Sequence, residues 1–97
     1  MKDNDLTWLL EWYFKQCDGD WEHGNGIKIA TLDNPGWFLK VNTFETDLQD
    51  KDFKIVDINR EENDWLYCSI KEHIFQGFGG PFNLPEIIKI FRAWVEN

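Results

Sequence analysis

The sequence predicts an α+β domain: an antiparallel meander sheet of about five strands, with an N-terminal and a C-terminal helix packed on it. Three observations carry that expectation. The two ends of the chain repeat apolar residues at helical spacing, the interior alternates in short runs, and turn signals with short connections separate those runs. At 97 residues the chain is expected to form one domain spanning 1–97, because chains divide only at larger sizes. Its composition is 42% hydrophobic and 16% aromatic, enough for a core and against disorder.

Asp5 is the expected N-cap of a first helix over about 6–17. On the helical wheel Leu6, Leu9, Leu10, Tyr13, Phe14 and Cys17 share one side, and Trp8 and Trp12 widen it. That arc is broader than an amphipathic helix needs. Either two elements cover it, or a Trp8–Trp12 ridge meets a second copy as a homodimer; the sequence leaves both open. Asp18-Gly19 ends the helix, since glycine accepts the left-handed closing conformation. Residues 20–26 read as a polar loop. Residues 27–32 and 37–42 alternate as strands around Asp33-Asn34-Pro35-Gly36, whose proline and glycine suit a tight turn.

Residues 43–52 are acidic and read as an exposed connection. Residues 53–58 form the expected third strand, followed by a charged turn over 59–64. The fourth and fifth strands are expected over 65–71 and 74–78. Gly77-Phe78-Gly79-Gly80-Pro81 then bends the chain. Asn83 and Glu86 make a capping-box pattern for the last helix. Its core stripe is Leu84, Ile87, Ile88, Ile90, Phe91, Trp94 and Val95.

Charge narrows the function classes. The net charge of −8 repels phosphate backbones, so direct nucleic-acid binding is not expected, and a basic partner is favoured. No apolar run approaches membrane-spanning length. The start, Met1-Lys2-Asp3-Asn4-Asp5, does not resemble a signal peptide, so a cytoplasmic chain with reduced Cys17 and Cys68 is expected.

Asp18, Asp20, Glu22 and His23 cluster beside Cys17 and invite comparison with metal sites. They lack the glycine and closing glutamate of a calcium loop, and a zinc site would need another His or Cys pair nearby. Their alternative role is architectural: Asp18 and Asp20 bond turn amides while Trp21 plugs the core. Ser69 is the sole serine and sits in a strand pattern, and the glycine-rich stretch lacks a phosphate-binding Lys-Ser/Thr. No catalytic residue, metal or cofactor is expected.

Residues 1–26 hold two lysines against six acids, and residues 43–64 hold three basic residues against eight acids. The candidate partner-binding set is therefore Asp18, Asp20, Trp21, Glu22 and His23, with Glu45, Asp47, Asp50, Asp52, Glu61, Glu62 and Asp64. A small metal- or ligand-binding domain centred on Asp18, Asp20, Glu22 and His23 is the alternative.

Several uncommon blocks coincide. They are Cys17-Asp18-Gly19-Asp20-Trp21-Glu22-His23, Thr31-Leu32-Asp33-Asn34-Pro35-Gly36-Trp37, Asn63-Asp64-Trp65, and Phe75-Gln76-Gly77-Phe78-Gly79-Gly80-Pro81 with Asn83-Leu84. Together they resemble the immunity protein 53 family of bacterial polymorphic-toxin systems, from Leu9 to about Trp94. The resemblance implies a cytoplasmic antidote, encoded beside its toxin, that binds a cognate toxin domain and is not an enzyme.

Overall fold

Asn4, rather than Asp5, caps the first helix. In the computed structural model, which describes residues 4–24 and 26–97, its side chain accepts the Thr7 N–H at 2.7 Å. Residues 1–3 of the N-terminal pentapeptide and Asn25 of the glycine loop lie outside the described residues. Asp5 opens α1 (Asp5–Gln16) instead, and its carboxylate meets Arg92 at 3.3 Å. An acid in the first turn suits the positive end of the helix. Part of the expected loop closes into a single turn, α2 (Trp21–Gly24).

The strands are β1 (Ile27–Leu32), β2 (Gly36–Asn42), β3 (Val56–Glu61), β4 (Asp64–Lys71) and β5 (Ile74–Gly79); α3 (Leu84–Glu96) follows. All pairings are antiparallel, in the order β1-β2-β5-β4-β3. The β1–β2 hairpin and the β3–β4–β5 meander each follow the chain. They join through β2 and β5, which places the last strand in the middle. β3 begins three residues later than expected. Phe53 leaves the sheet to insert between core rings, edge-on to Phe75 and to Trp94 at 5.4 Å from each.

One face of the sheet carries Leu39, Val41, Leu66, Cys68 and Phe75, all fully buried. Burial pushes the Cys68 thiol up to about 12, with a lesser push from Glu86. Phe91 of α3 occupies the centre of this layer, with ring centroids 5.9 Å from Trp8, 5.2 Å from Trp12, 5.0 Å from Phe75 and 6.0 Å from Trp94. Trp12 packs edge-on against Trp21 at 6.1 Å, and Arg92 lies over the Trp8 ring. The Trp8–Trp12 ridge therefore packs toward the core, with Trp12 buried and Trp8 partly buried. The broad apolar arc of α1 is covered by α3 on one flank and Trp21 on another. The uncovered remainder is Leu6, Leu10 and Phe14, four residues apart and exposed.

Two glycines set how closely α3 approaches β5. A methyl group at Gly77 would overlap Ile87 Cγ2, and one at Gly79 would lie 3.0 Å from both Asn83 Cβ and Ile87 Cδ1. Gly77→Ala is therefore expected to destabilise the domain by about 1–3 kcal/mol through overpacking. Chemical denaturation checks this: an unchanged midpoint would mean that α3 has room to rise.

The segment between β2 and β3 is less exposed than its charge suggests. Thr43 and Leu48 are buried. Lys51 Nζ donates to the carbonyls of Trp94 at 2.6 Å and Asn97 at 2.8 Å. These are carbonyls that the end of a helix otherwise leaves unpaired. Trp94 Nε1–H donates to the Asp52 carbonyl at 2.7 Å. The segment straps the sheet to the end of α3.

Candidate functional site

The Cys17–His23 block builds its own geometry. Gly19, at φ +93, turns the chain beyond α1. Asp18 Oδ1 accepts the N–H groups of Asp20 at 2.9 Å and Trp21 at 3.0 Å, capping α2. Glu22 reaches back and accepts from the Asp18 N–H at 3.0 Å and the Gly19 N–H at 2.9 Å. Each acid satisfies amides that a helix start or a turn would otherwise leave unpaired.

Bonding to the Trp21 and Asp20 amides holds Asp18 below its ordinary pKa. Glu22 is lowered by its own backbone N–H and by those of Asp18 and Gly19, with a contribution from His23. Asp20 and His23 are exposed, whereas Trp21 is buried. Among the described residues, no three His, Cys, Asp or Glu side chains come together to hold a metal ion. The carboxylates of Asp18 and Glu22 are turned to the backbone.

The remaining acids divide between the ends of the sheet. The Thr43 N–H donates to the His73 carbonyl, and the Asn42 N–H to the Gly26 carbonyl. Residues 43–52, the β4–β5 turn and the start of β1 therefore share one end. Glu45, Asp47, Asp50 and Asp52 are exposed there, and the 18–23 block feeds β1 at the same end. Glu61, Glu62 and Asp64 lie at the β3–β4 turn. The length of β4, roughly 20 Å, separates the two groups. Sequence proximity in charge does not become one field.

At the β3–β4 end the side chains form a joint. Arg60 Nε donates to both Asp64 oxygens at 3.1 Å, and its Nη2 to Glu86 at 2.6 Å. Asn83 stands at the N-cap position of α3 but makes no side-chain bond to that helix's own amides. Its Oδ1 instead accepts the Trp65 N–H at 3.3 Å, and its Nδ2 donates to Asp64 at 3.0 Å and Glu86 at 3.3 Å. The expected capping box is replaced by a tie between turn and helix. A methyl group at Gly80 would come within 2.7 Å of the Asn63 carbonyl oxygen. Asn63-Asp64-Trp65 and the glycine-rich bend are two halves of one fastening.

Hydrogen bonds from Arg60, then Asn83, hold Asp64 below its ordinary pKa. Asp18, Glu22 and Asp64 are thus all lowered on folding. The stability they contribute is present above their unfolded values, near 4, and disappears as pH falls through the lower folded values. The melting temperature should drop below about pH 4, and Asp18→Asn should flatten that part of the profile. An acid profile identical to the parent's would refute the assignment for Asp18.

The sequence reading missed the second face of the sheet. Phe38, Phe78 and Tyr67 fall in register across β2, β5 and β4, on the side away from the Phe75–Gly77 face that α3 covers. Phe38 and Phe78 lie 6.1 Å apart, and Lys40 Nζ is 5.5 Å from the Phe38 ring. Lys28 pairs with Lys40 in the neighbouring row. The period-two alternation of these runs carried the signal, since it places aromatic residues on both faces.

Fold and surfaces together define a two-layer α+β domain with an uncovered sheet face and with polar motifs that fasten its own chain. The chain belongs to the immunity protein 53 family, whose family model matches residues 6–96. No curated protein and no solved structure matches it. No helix among the described residues is long and apolar enough to cross a membrane.

Proposed function

We propose that this chain binds a cognate polymorphic-toxin domain in the cytoplasm of the producing cell and neutralises it by covering its working surface. The family match over residues 6–96 carries the proposal. Contact acids are Asp20, Glu45, Asp47, Asp50 and Asp52 at one end of the sheet, with Glu61 and Glu62 at the other; His23 flanks the first group. Asp18, Glu22, Asp64 and Trp21 support contact indirectly, by holding those segments in place.

The charge of −8 suits a basic target, and a nuclease cleft is such a surface. Coexpression with the product of the adjacent toxin gene tests the role: rescue of growth is expected, and failure to rescue ends it. Asp47→Lys with Asp50→Lys tests the acidic contact. Binding should weaken at least tenfold, mainly through slower association that is sensitive to salt, with melting unchanged. Unaltered affinity would remove these acids from the interface.

A further inference from the structure

We propose that β1 and α1 together seat an extended segment of the partner protein, which adds to the sheet edge as a sixth strand. The inference rests on the reading above that the partner is a protein. Among the described residues β1 has a neighbour on one side only. The Asn42 N–H donates to the Gly26 carbonyl at 3.0 Å, and Ile27 registers with Val41. Antiparallel alternation then directs the amides of Lys28 and Ala30 to β2 and those of Ile27, Ile29 and Thr31 outward.

The side chains of Ile27 and Ile29 rise on the helical side of the sheet. There they meet a groove of about 300 Å³, walled across from them by Leu6, Leu9, Leu10 and Tyr13 of α1. Leu10 is 59% exposed and Ile29 40%. A strand laid along β1 satisfies the outward amides and sends every second side chain into this groove.

The two edges of the sheet differ in a way that supports this assignment. β3 is guarded by a register shift between Asn59 and Glu61 and by Asp57, Arg60 and Glu61. Bulges and charges are the usual defences against edge pairing. β1 pairs with β2 without a register shift and contains no proline; its one charge, Lys28, lies on the opposite face from the groove.

Charge selects the occupant. A second copy would bring its own −8 against a groove that Glu22 already lines. A segment with apolar residues at every second position and Lys or Arg at its flanks meets Glu22 and the net negative charge favourably. A helix could fill the groove but would leave the β1 amides unpaired.

The probe is the toxin domain encoded by the adjacent gene, titrated against the full chain. Leu10→Glu charges the groove. Ile29→Pro deletes an outward N–H, a substitution that edge strands accommodate. Each should weaken binding at least tenfold with an unchanged melting temperature, and Ile27, Ile29 and Thr31 amides should gain hydrogen-exchange protection in the wild-type complex. If Ile29→Pro does not fold, Leu10→Glu and the exchange pattern decide. Full affinity in Leu10→Glu, or no added protection along β1, overturns the strand assignment while a formed complex leaves the antidote reading intact. A free chain that sediments as a dimer, dissolved by Leu10→Glu, overturns it in favour of a second copy. A wild-type chain that does not bind the toxin domain defeats both.

Discussion

Trp21→Ala should destabilise the domain by about 3–5 kcal/mol, the range for deleting a large buried ring. Trp21 is 3% exposed and packs between Trp12, at 6.1 Å, and Tyr13, at 5.9 Å. Its backbone N–H is held by Asp18. Removing the indole opens a cavity under α1 and loosens the turn that carries Asp20 and His23. Urea denaturation measures the effect directly. If Trp21 were an exposed anchor for a partner, the alanine variant would keep its midpoint and lose affinity instead. Trp21→Phe is expected to cost less, because it retains an aromatic ring and removes an indole N–H that has no acceptor among the described residues.

Phe91→Ala should be at least as damaging, again about 3–5 kcal/mol. Phe91 is fully buried and its ring meets Trp8, Trp12, Phe75 and Trp94. It therefore joins α1, α3 and the central strand at one point, and truncation weakens contacts in all three directions. For a domain of this size total stability is on the order of 5–15 kcal/mol, so the variant should sit near the edge of folding at physiological temperature. Thermal melting followed through tryptophan fluorescence checks this. A melting temperature within a few degrees of the parent would show that the rings repack around the loss.

The sequence made local features legible and left non-local ones open. Residues 27–32 and their Pro-Gly turn predicted β1 and the hairpin because alternation and turn chemistry act over adjacent residues. The periodic stripe of α3 was equally readable. The central position of β5 was not, since pairing β2 with β5 depends on a match between surfaces far apart in sequence. The same limit affected the helix caps. Asn83 has the right identity for a cap, yet Trp65, Asp64 and Glu86 compete for its side chain. The acid-rich segments 18–23 and 43–64 were visible as composition, but only the length of β4 reveals that Glu61, Glu62 and Asp64 are held apart from the acids of 18–23 and 43–52. The Asp18–Glu22 pair illustrates a further ambiguity: carboxylates clustered closely enough to invite a metal reading are also spaced to bond turn amides, and the backbone takes them.

The pairing of Asp5 with Arg92 spans 87 residues of chain. Its neighbours Trp8 and Phe91 bring the first and last helices together over the sheet. The helical layer can therefore close only after α3 has been synthesised, because α1 has no lid until α3 emerges. Until then Trp8 and Trp12 lack the ring of Phe91 that covers them. The helical layer over the sheet is complete only when both helices are present, because each supplies rings that cover the other.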